Sequence, residues 1–318
     1  MDSQTAPNAV QIELVEGCNL YCDFCGLRGI RTGPNKGLQF MGLSTLIKIC
    51  DDIRKAKWNS RLEFAMHGEP TLHPQLVYFM QTVRTMLPTH YIMLTTNGGG
   101  LLPDARKSVD LLFSAGVNTI ALDCYKYVTI SDKIRFQLAG VPSHEYPADK
   151  TASPHTRHDG RKFVYVADIS SSTTGTHARL NTHCGAASPP DTSMWGKRCA
   201  KPFREMSFRW DGNVALCCED WRGVYKCGSI HLSGITSIWN SEPFRAARKF
   251  LYRGDRGNIP TCATCNQRSY RVGLLPDPLG KETLEEPTTL DLDQVKYACQ
   301  GEPWTKPVLR VWEEPSDS

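Results

Sequence analysis

The sequence predicts an α/β fold: repeated βα units that build a parallel sheet or barrel, followed by a small α+β domain rich in cysteine. Three observations carry this expectation. Strand-like and helix-like segments alternate over residues 10–125, and repeated βα units imply parallel pairing with right-handed crossovers. Most of the 13 cysteines fall into two groups, one directly after the first strand and one beyond residue 198. A connection rich in Gly, Ser and Pro, residues 182–198, lies between them. The expected organisation is a barrel-like domain at 8–182, a second domain at 183–272 and an acidic, proline-containing tail at 273–318.

The elements follow in order. Val10 to Glu16 alternates as a half-buried strand, and Leu43, Leu46, Ile47, Cys50 and Ile53 recur at helical spacing. Leu62 to Met66 is a short apolar strand ending at His67-Gly68-Glu69-Pro70, and Leu76, Phe79, Met80, Val83 and Leu87 mark a second helix. Tyr91 to Thr95 is a third strand stopped by Asn97-Gly98-Gly99-Gly100. Asp104 to Ala115 is a third helix, with Asp104 as its N-cap and Gly116 past its end. Val117 to Asp123 is a fourth strand, residues 140–160 read as a loop, and Phe163 to Ile169 is a further strand. Met206 to Trp210 and Val214 to Cys217 flank Asp211-Gly212-Asn213, a strong hairpin signal. A last helix runs from about Glu242 to Tyr252, with Ser241 as candidate cap and Gly254 beyond its end.

Composition narrows the function classes. An odd count of 13 cysteines cannot pair completely within one chain, and without an export signal such cysteines read as metal ligands or reactive thiols. The polar N-terminus lacks a signal-peptide pattern and no apolar run reaches the roughly 18 residues a membrane span needs, so the expected location is cytoplasmic, with no membrane partner. The net charge of +4 is unevenly spread, because the tail is acidic and the body basic.

Cys18-x3-Cys22-x2-Cys25 follows the first strand directly. In a β/α barrel the strand C-termini carry the active site. Three thiolates on a short loop can hold three irons of a 4Fe–4S cube and leave the fourth iron open to another ligand. A structural zinc site wants four closed ligands, and a zinc or incidental cysteine cluster is the alternative reading.

This spacing resembles the CxxxCxΦC signature of the radical S-adenosylmethionine (SAM) superfamily, with Phe24 in the aromatic place. The resemblance implies a partial (β/α)6 TIM-like barrel. It implies that SAM chelates the open iron and is cleaved reductively to a 5′-deoxyadenosyl radical, which takes a hydrogen atom from the substrate. His67-Gly68-Glu69-Pro70 resembles the family's Gly-Gly-Glu-Pro motif, with His67 replacing the first Gly. By that resemblance Gly68, Glu69 and Pro70 serve the methionine amino group. Thr96 and Asn97 resemble the third-strand end near SAM, and Asp123 is expected near the ribose or carboxylate.

The C-terminal group, Cys199-x12-Gly212-x4-Cys217 with Cys262-x2-Cys265, supplies four thiolates, enough to close a second 4Fe–4S cluster. It resembles the twitch and SPASM auxiliary-cluster domains of the same superfamily. The next cysteine is Cys299, so one auxiliary cluster is expected, as in the twitch type. Cys217, not its neighbour Cys218, holds the Gly-x4-Cys place. A zinc-ribbon-like site is the alternative.

Candidate catalytic residues are Cys184 and Cys124, thiols of the kind that return a hydrogen atom in epimerases of the superfamily, and His67 as acid or base. For the thiols, a plain buried or surface cysteine is the alternative. His177 and His183 are further acid–base candidates, and Tyr165, Asp168 and Arg179 are candidate cavity residues. Cys50 reads as core, and Trp210, Trp221, Tyr225 and Trp239 as packing of the second domain. Arg245, Arg248, Lys249, Arg253 and Arg256 read as a solvated helix face, or as a patch for an anionic or nucleic-acid substrate.

The expected function is therefore a radical SAM enzyme with two 4Fe–4S clusters and SAM as cofactors, abstracting a hydrogen atom from a small polar or nucleotide-type substrate to give oxidation or rearrangement. A flavodoxin- or ferredoxin-type partner would supply the electron. The competing expectations are an isomerase or epimerase acting on an amino-acid-modified nucleobase in DNA or on a short peptide, and, among non-enzymes, an iron–sulfur or zinc scaffold or an electron-transfer protein.

Overall fold

A strand whose polar and apolar residues alternate must bury two different faces, and that demand shapes the molecule. The computed structural model describes residues 6–22, 25–29, 31–124, 128–145, 162–168, 184 and 192–267. Its strands are β1 (Ala9–Ile12), β2 (Val15–Glu16), β3 (Gln39–Phe40), β4 (Arg61–Phe64), β5 (Ile92–Thr96), β6 (Thr119–Cys124), β7 (Ser143–Glu145), β8 (Phe163–Asp168), β9 (Glu205–Phe208), β10 (Asn213–Ala215) and β11 (Lys226–Ser229). The helices are α1 (Leu43–Lys55), α2 (Leu76–Met86), α3 (Ala105–Ser114), α4 (Val128–Gln137), α5 (Lys201–Arg204), α6 (Ile235–Trp239), α7 (Glu242–Arg253) and α8 (Pro260–Ala263).

Among the described residues, nine strands form one sheet in the order β11-β10-β9-β1-β4-β5-β6-β8-β7. β1, β4, β5, β6, β8 and β7 are parallel, neighbour to neighbour. This is the parallel core of a partial barrel, as expected. β9 pairs parallel with β1 on its other side, and β10 and β11 continue antiparallel from it. The hairpin of the second domain is thus built onto the first strand of the barrel.

The alternating pattern separates two environments. Val10, Ile12, Leu62, Phe64, Ile92, Leu94, Ile120, Leu122, Val164 and Val166 are buried in the apolar core. Full burial of such a side chain contributes about 1.5–3 kcal/mol. The intervening residues bring buried polar groups together on the opposite face. Gln11 donates to Glu63 at 3.0 Å, Arg61 donates to Glu63 at 2.8 Å, and Ser207 donates to Gln11 at 3.0 Å. The sheet therefore carries an apolar face and a hydrogen-bonded polar face.

Several local expectations are corrected. The run Val10 to Glu16 is two strands, because β2 turns away to pair antiparallel with β3. Part of the 140–160 loop is strand β7. Helix α4 and strand β11 were not expected, and Ile47 is 40% exposed because the buried stripe of α1 runs through Thr45, Leu46, Ile49, Cys50 and Ile53. Asp104 does cap α3, accepting from the Lys107 amide at 3.0 Å, an interaction worth about 1 kcal/mol. Ser241 occupies the N-cap position of α7, but its hydroxyl donates to the Cys227 carbonyl at 3.1 Å instead.

The basic run is not one solvated face. Arg248 is buried, lies over the rings of Trp239 and Phe244, and donates to the carbonyls of Pro202 and Trp239 at 2.8 Å each. Arg256 is buried as well, whereas Arg245 and Arg253 are exposed. The acidic tail, residues 273–318, lies outside the described residues.

Candidate functional site

The chain after β2 turns at Gly17 and presents Cys18, Cys22 and Cys25 on one short loop. The three thiols line a single small cavity with Leu20, Tyr21, Leu27, Arg31 and Gly33. Burial, aided by Glu69, Cys25 and Cys22, pushes the Cys18 thiol up to about 12, and burial aided by Cys22 pushes the Cys25 thiol up to about 11. Arg31 donates to the Glu16 carbonyl at 2.9 Å, while its Nε and Nη2 are buried without a hydrogen-bond partner among the described residues. Crowded thiols beside an unsatisfied guanidinium fit an anionic metal–sulfur group held by three cysteines. No three His, Cys, Asp or Glu side chains among the described residues converge tightly enough to grip a single metal ion.

Glu69 binds this loop to two others. It follows β4, and its side chain caps the short 3-10 turn Pro70–Leu72. One carboxylate oxygen accepts from the Thr71 amide at 3.0 Å and from the hydroxyls of Thr71 and Thr96 at 2.5 Å each. The other accepts from the Asn97 amide at 2.7 Å. Burial pushes the Glu69 carboxyl up, and these hydrogen bonds oppose the shift without cancelling it. Asn97 then reaches the cysteine loop, donating through Nδ2 to Cys18 Sγ at 3.3 Å and to Asn19 at 2.8 Å. The Glu69 amide closes the circuit by donating to the Gly17 carbonyl at 2.8 Å. Gly68 permits that approach, because a Cβ there would lie 1.6 Å from the Val15 carbonyl oxygen. A buried carboxylate with a raised affinity for protons is suited to an ammonium group.

His67 is 3% exposed and occupies the joint between barrel and second domain. Its Nδ1 lies 3.0 Å from Glu13 and its Nε2 lies 2.9 Å from the Cys218 carbonyl. Its ring packs on Trp221 at 4.6 Å between centroids. Trp221 also stands against Gly26, directly after Cys25, where a Cβ would come within 2.5 Å of the indole. Burial alone would push the Glu13 carboxyl up, but Arg209 and His67 outweigh it and hold the group below its usual range. Arg209 also pairs with Glu16. Trp221 therefore does more than pack its own domain.

In the second domain Cys199, Cys217, Cys262 and Cys265 are each 6–7% exposed. Cys199, Cys217 and Cys262 are pushed up first by burial and then by neighbouring thiols, Cys265 for Cys199, Cys218 and Cys262 for Cys217, and Cys265 and Cys199 for Cys262. Cys184 joins this group: burial raises its thiol, which hydrogen-bonds Cys265 and lies near Cys217 and Cys262. That hydrogen bond draws the Cys265 thiol down. Cys218 points elsewhere, accepting from Lys201 Nζ at 3.1 Å. The thiols of Cys199, Cys217, Cys262 and Cys265, with Cys184 beside them, are buried close together, and an iron–sulfur cube takes four such ligands.

The structure thus brings together Cys18, Cys22, Cys25, Gly68, Glu69, Pro70, Thr96 and Asn97. Asp123 and Cys124 end β6, where they pair with Ala167 and Asp168 of β8; the side chain of Cys124 lies outside the described residues, as do Phe24, His177, Arg179 and His183. Tyr165 is buried in β8. Sequence reasoning missed Asn19, Thr71, Glu13 and Arg209, none of which carries a signal apart from its position after a strand or beside a motif. Cys50 is core, as read. Among the described residues no helix is long and apolar enough to cross a membrane.

Comparison with known proteins agrees with this geometry. The chain matches the model of the radical SAM superfamily over residues 12–124 and that of SPASM, an iron–sulfur cluster-binding domain, over residues 199–266. It is similar to the S-adenosyl-L-methionine-dependent 2-deoxy-scyllo-inosamine dehydrogenase of Niallia circulans, with 24% identity over 263 residues, covering 83% of this chain and 94% of the relative. It is also similar to the GTP 3′,8-cyclase of Streptomyces coelicolor, with 28% identity over 145 residues, covering 42% of this chain and 39% of that one. The crystal structure of BtrN in complex with AdoMet and 2-DOIA shares its fold, with a TM-score of 0.65 and 22% identity over 86% of this chain and 98% of that one.

Proposed function

The chain belongs to the radical SAM superfamily, an enzyme with SAM and two 4Fe–4S clusters as its cofactors, and we propose that it dehydrogenates a hydroxyl-bearing carbon of a small polar molecule. When bound, these cofactors supply a 5′-deoxyadenosyl radical that takes a hydrogen atom and, at the second cluster, an acceptor for the electron left behind.

Cys18, Cys22 and Cys25 would hold the first cluster, and Cys199, Cys217, Cys262 and Cys265 the second. Glu69 would accept the methionine ammonium of SAM, and Thr71, Thr96 and the Asn97 amide fix its carboxylate for that contact. Gly68 keeps the loop close enough for Glu69 to reach. His67 works as a positioning residue: with both ring nitrogens engaged, it ties the SAM-side loop to the loop carrying Cys217 and Cys218. We assign Cys184 to the neighbourhood of the second cluster, not to hydrogen-atom donation.

The observation that supports the oxidation reading is the second group of buried thiols, Cys199, Cys217, Cys262 and Cys265. An isomerase returns its electron to the product and needs no acceptor. The aminocyclitol dehydrogenase to which the chain is similar points to polyhydroxylated aminocyclitols. The electron donor is a flavodoxin- or ferredoxin-type protein, and the compartment the reducing cytoplasm. The test is anaerobic incubation of the fully reconstituted enzyme with SAM, reductant and a panel of aminocyclitols. A ketone product two hydrogens lighter supports the reading, and an isomer of unchanged mass as sole product overturns it.

A further inference from the structure

We infer that Arg256 positions the auxiliary cluster and sets its reduction potential, an inference that rests on the reading of Cys199, Cys217, Cys262 and Cys265 as its ligands. The guanidinium is 1% exposed. It donates through Nε to the Lys197 carbonyl at 2.9 Å and through Nη2 to the Arg198 carbonyl at 3.0 Å. Through Nη1 it donates to the Gln267 carbonyl at 3.0 Å and the Cys265 carbonyl at 3.5 Å. Lys197 and Arg198 lead directly into Cys199, while Cys265 and Gln267 belong to the other end of the domain. One planar fork therefore ties together the two backbone segments that carry the first and last of the four thiols, a geometry that Lys cannot reproduce.

The charge is the second half of the inference. These acceptors are all neutral backbone carbonyls, so no carboxylate among them offsets the cation. One of these carbonyls belongs to Cys265 itself and another, that of Arg198, directly precedes Cys199, so the cation is fixed beside the thiol group. Reduction of a cluster held by four thiolates adds one electron and one further negative charge to a buried group. A fixed cation beside it favours the reduced form, and net charge and burial are established levers on such potentials. Arg256 thus makes the auxiliary cluster a better electron acceptor than its thiolates alone would.

The test uses the full chain with Cys18, Cys22 and Cys25 replaced by Ala, so that only the auxiliary cluster remains. Iron content and a dithionite titration followed by electron paramagnetic resonance are compared for this parent, Arg256→Gln and Arg256→Lys. Arg256→Gln is expected to lower the equilibrium constant for reduction about tenfold, a midpoint about 59 mV more negative for one electron. Arg256→Lys keeps the charge, so its midpoint stays near the parent's while its iron content falls and its signal broadens. Unchanged midpoints in both variants, or equal shifts in both, overturn the inference. If Arg256→Gln fails to assemble, Arg256→Lys decides: the parent midpoint with reduced iron supports the inference, and full iron with the parent line shape overturns it. A parent that binds no iron refutes the ligand assignment itself, which separates that failure from this one.

Discussion

A carboxylate that accepts four hydrogen bonds while buried, as Glu69 does, is held in one orientation before any ligand arrives. Replacing it with Gln removes the charge and turns an amide group toward donors. Hydrogen bonds to charged groups contribute about 1.5–3 kcal/mol, so Glu69→Gln is expected to weaken SAM binding about 10- to 100-fold, measured by equilibrium dialysis with the first cluster intact. Glu13 works in the opposite sense. Its folded pKa lies below the unfolded value of 4.5, so its contribution to stability is present above that value and is lost as pH falls through the folded pKa. Urea unfolding should show wild type more stable than Glu13→Gln at pH 7. The gap should shrink below about pH 4.5 and close under the folded pKa; a constant gap from pH 7 to 3 would contradict the role of Arg209 and His67 as its partners.

Elements explain which of these residues could be read in advance. β4 and β5 are legible because their apolar runs end at Gly, Pro or Asn, and the motif residues sit at those ends. Glu69, Thr96 and Asn97 were found for that reason. The break between β1 and β2 shows in the sequence only as the adjacent apolar pair Leu14–Val15 in an otherwise alternating run, and pairing with β3 is what divides it. The Glu13–His67 contact spans 54 residues, and no local pattern announces it. Arg248 and Arg256 read as solvent-facing because charge usually is; their partners are backbone carbonyls supplied only by the folded chain. At the joint, Gly68 allows the loop after β4 to lie on the Val15 carbonyl. Gly68→Ala must push that loop away, at a cost of about 1–3 kcal/mol. SAM binding should fall with it even where the iron content is unchanged, and normal binding would show that the close approach is not needed.

At the scale of the molecule, one sheet joins both cysteine sets, since β9 of the second domain lies directly beside β1 of the barrel. The two sites therefore share a rigid frame, with His67, Trp221 and Arg209 filling the joint. Anaerobic reconstitution should give about eight iron and eight sulfide per chain, and the Cys18/Cys22/Cys25 triple Ala variant about half of each; zinc in place of iron would contradict the assignment.

The most direct test of the central claim follows a labelled hydrogen. The reconstituted enzyme is given SAM, reductant and an aminocyclitol deuterated at the carbinol carbon. The account predicts deuterium in 5′-deoxyadenosine and an equal amount of ketone, with ketone formation lost in Cys217→Ala while the first cluster stays loaded. Deuterium transfer with return to an isomeric alcohol, or ketone formation undiminished in Cys217→Ala, would contradict it.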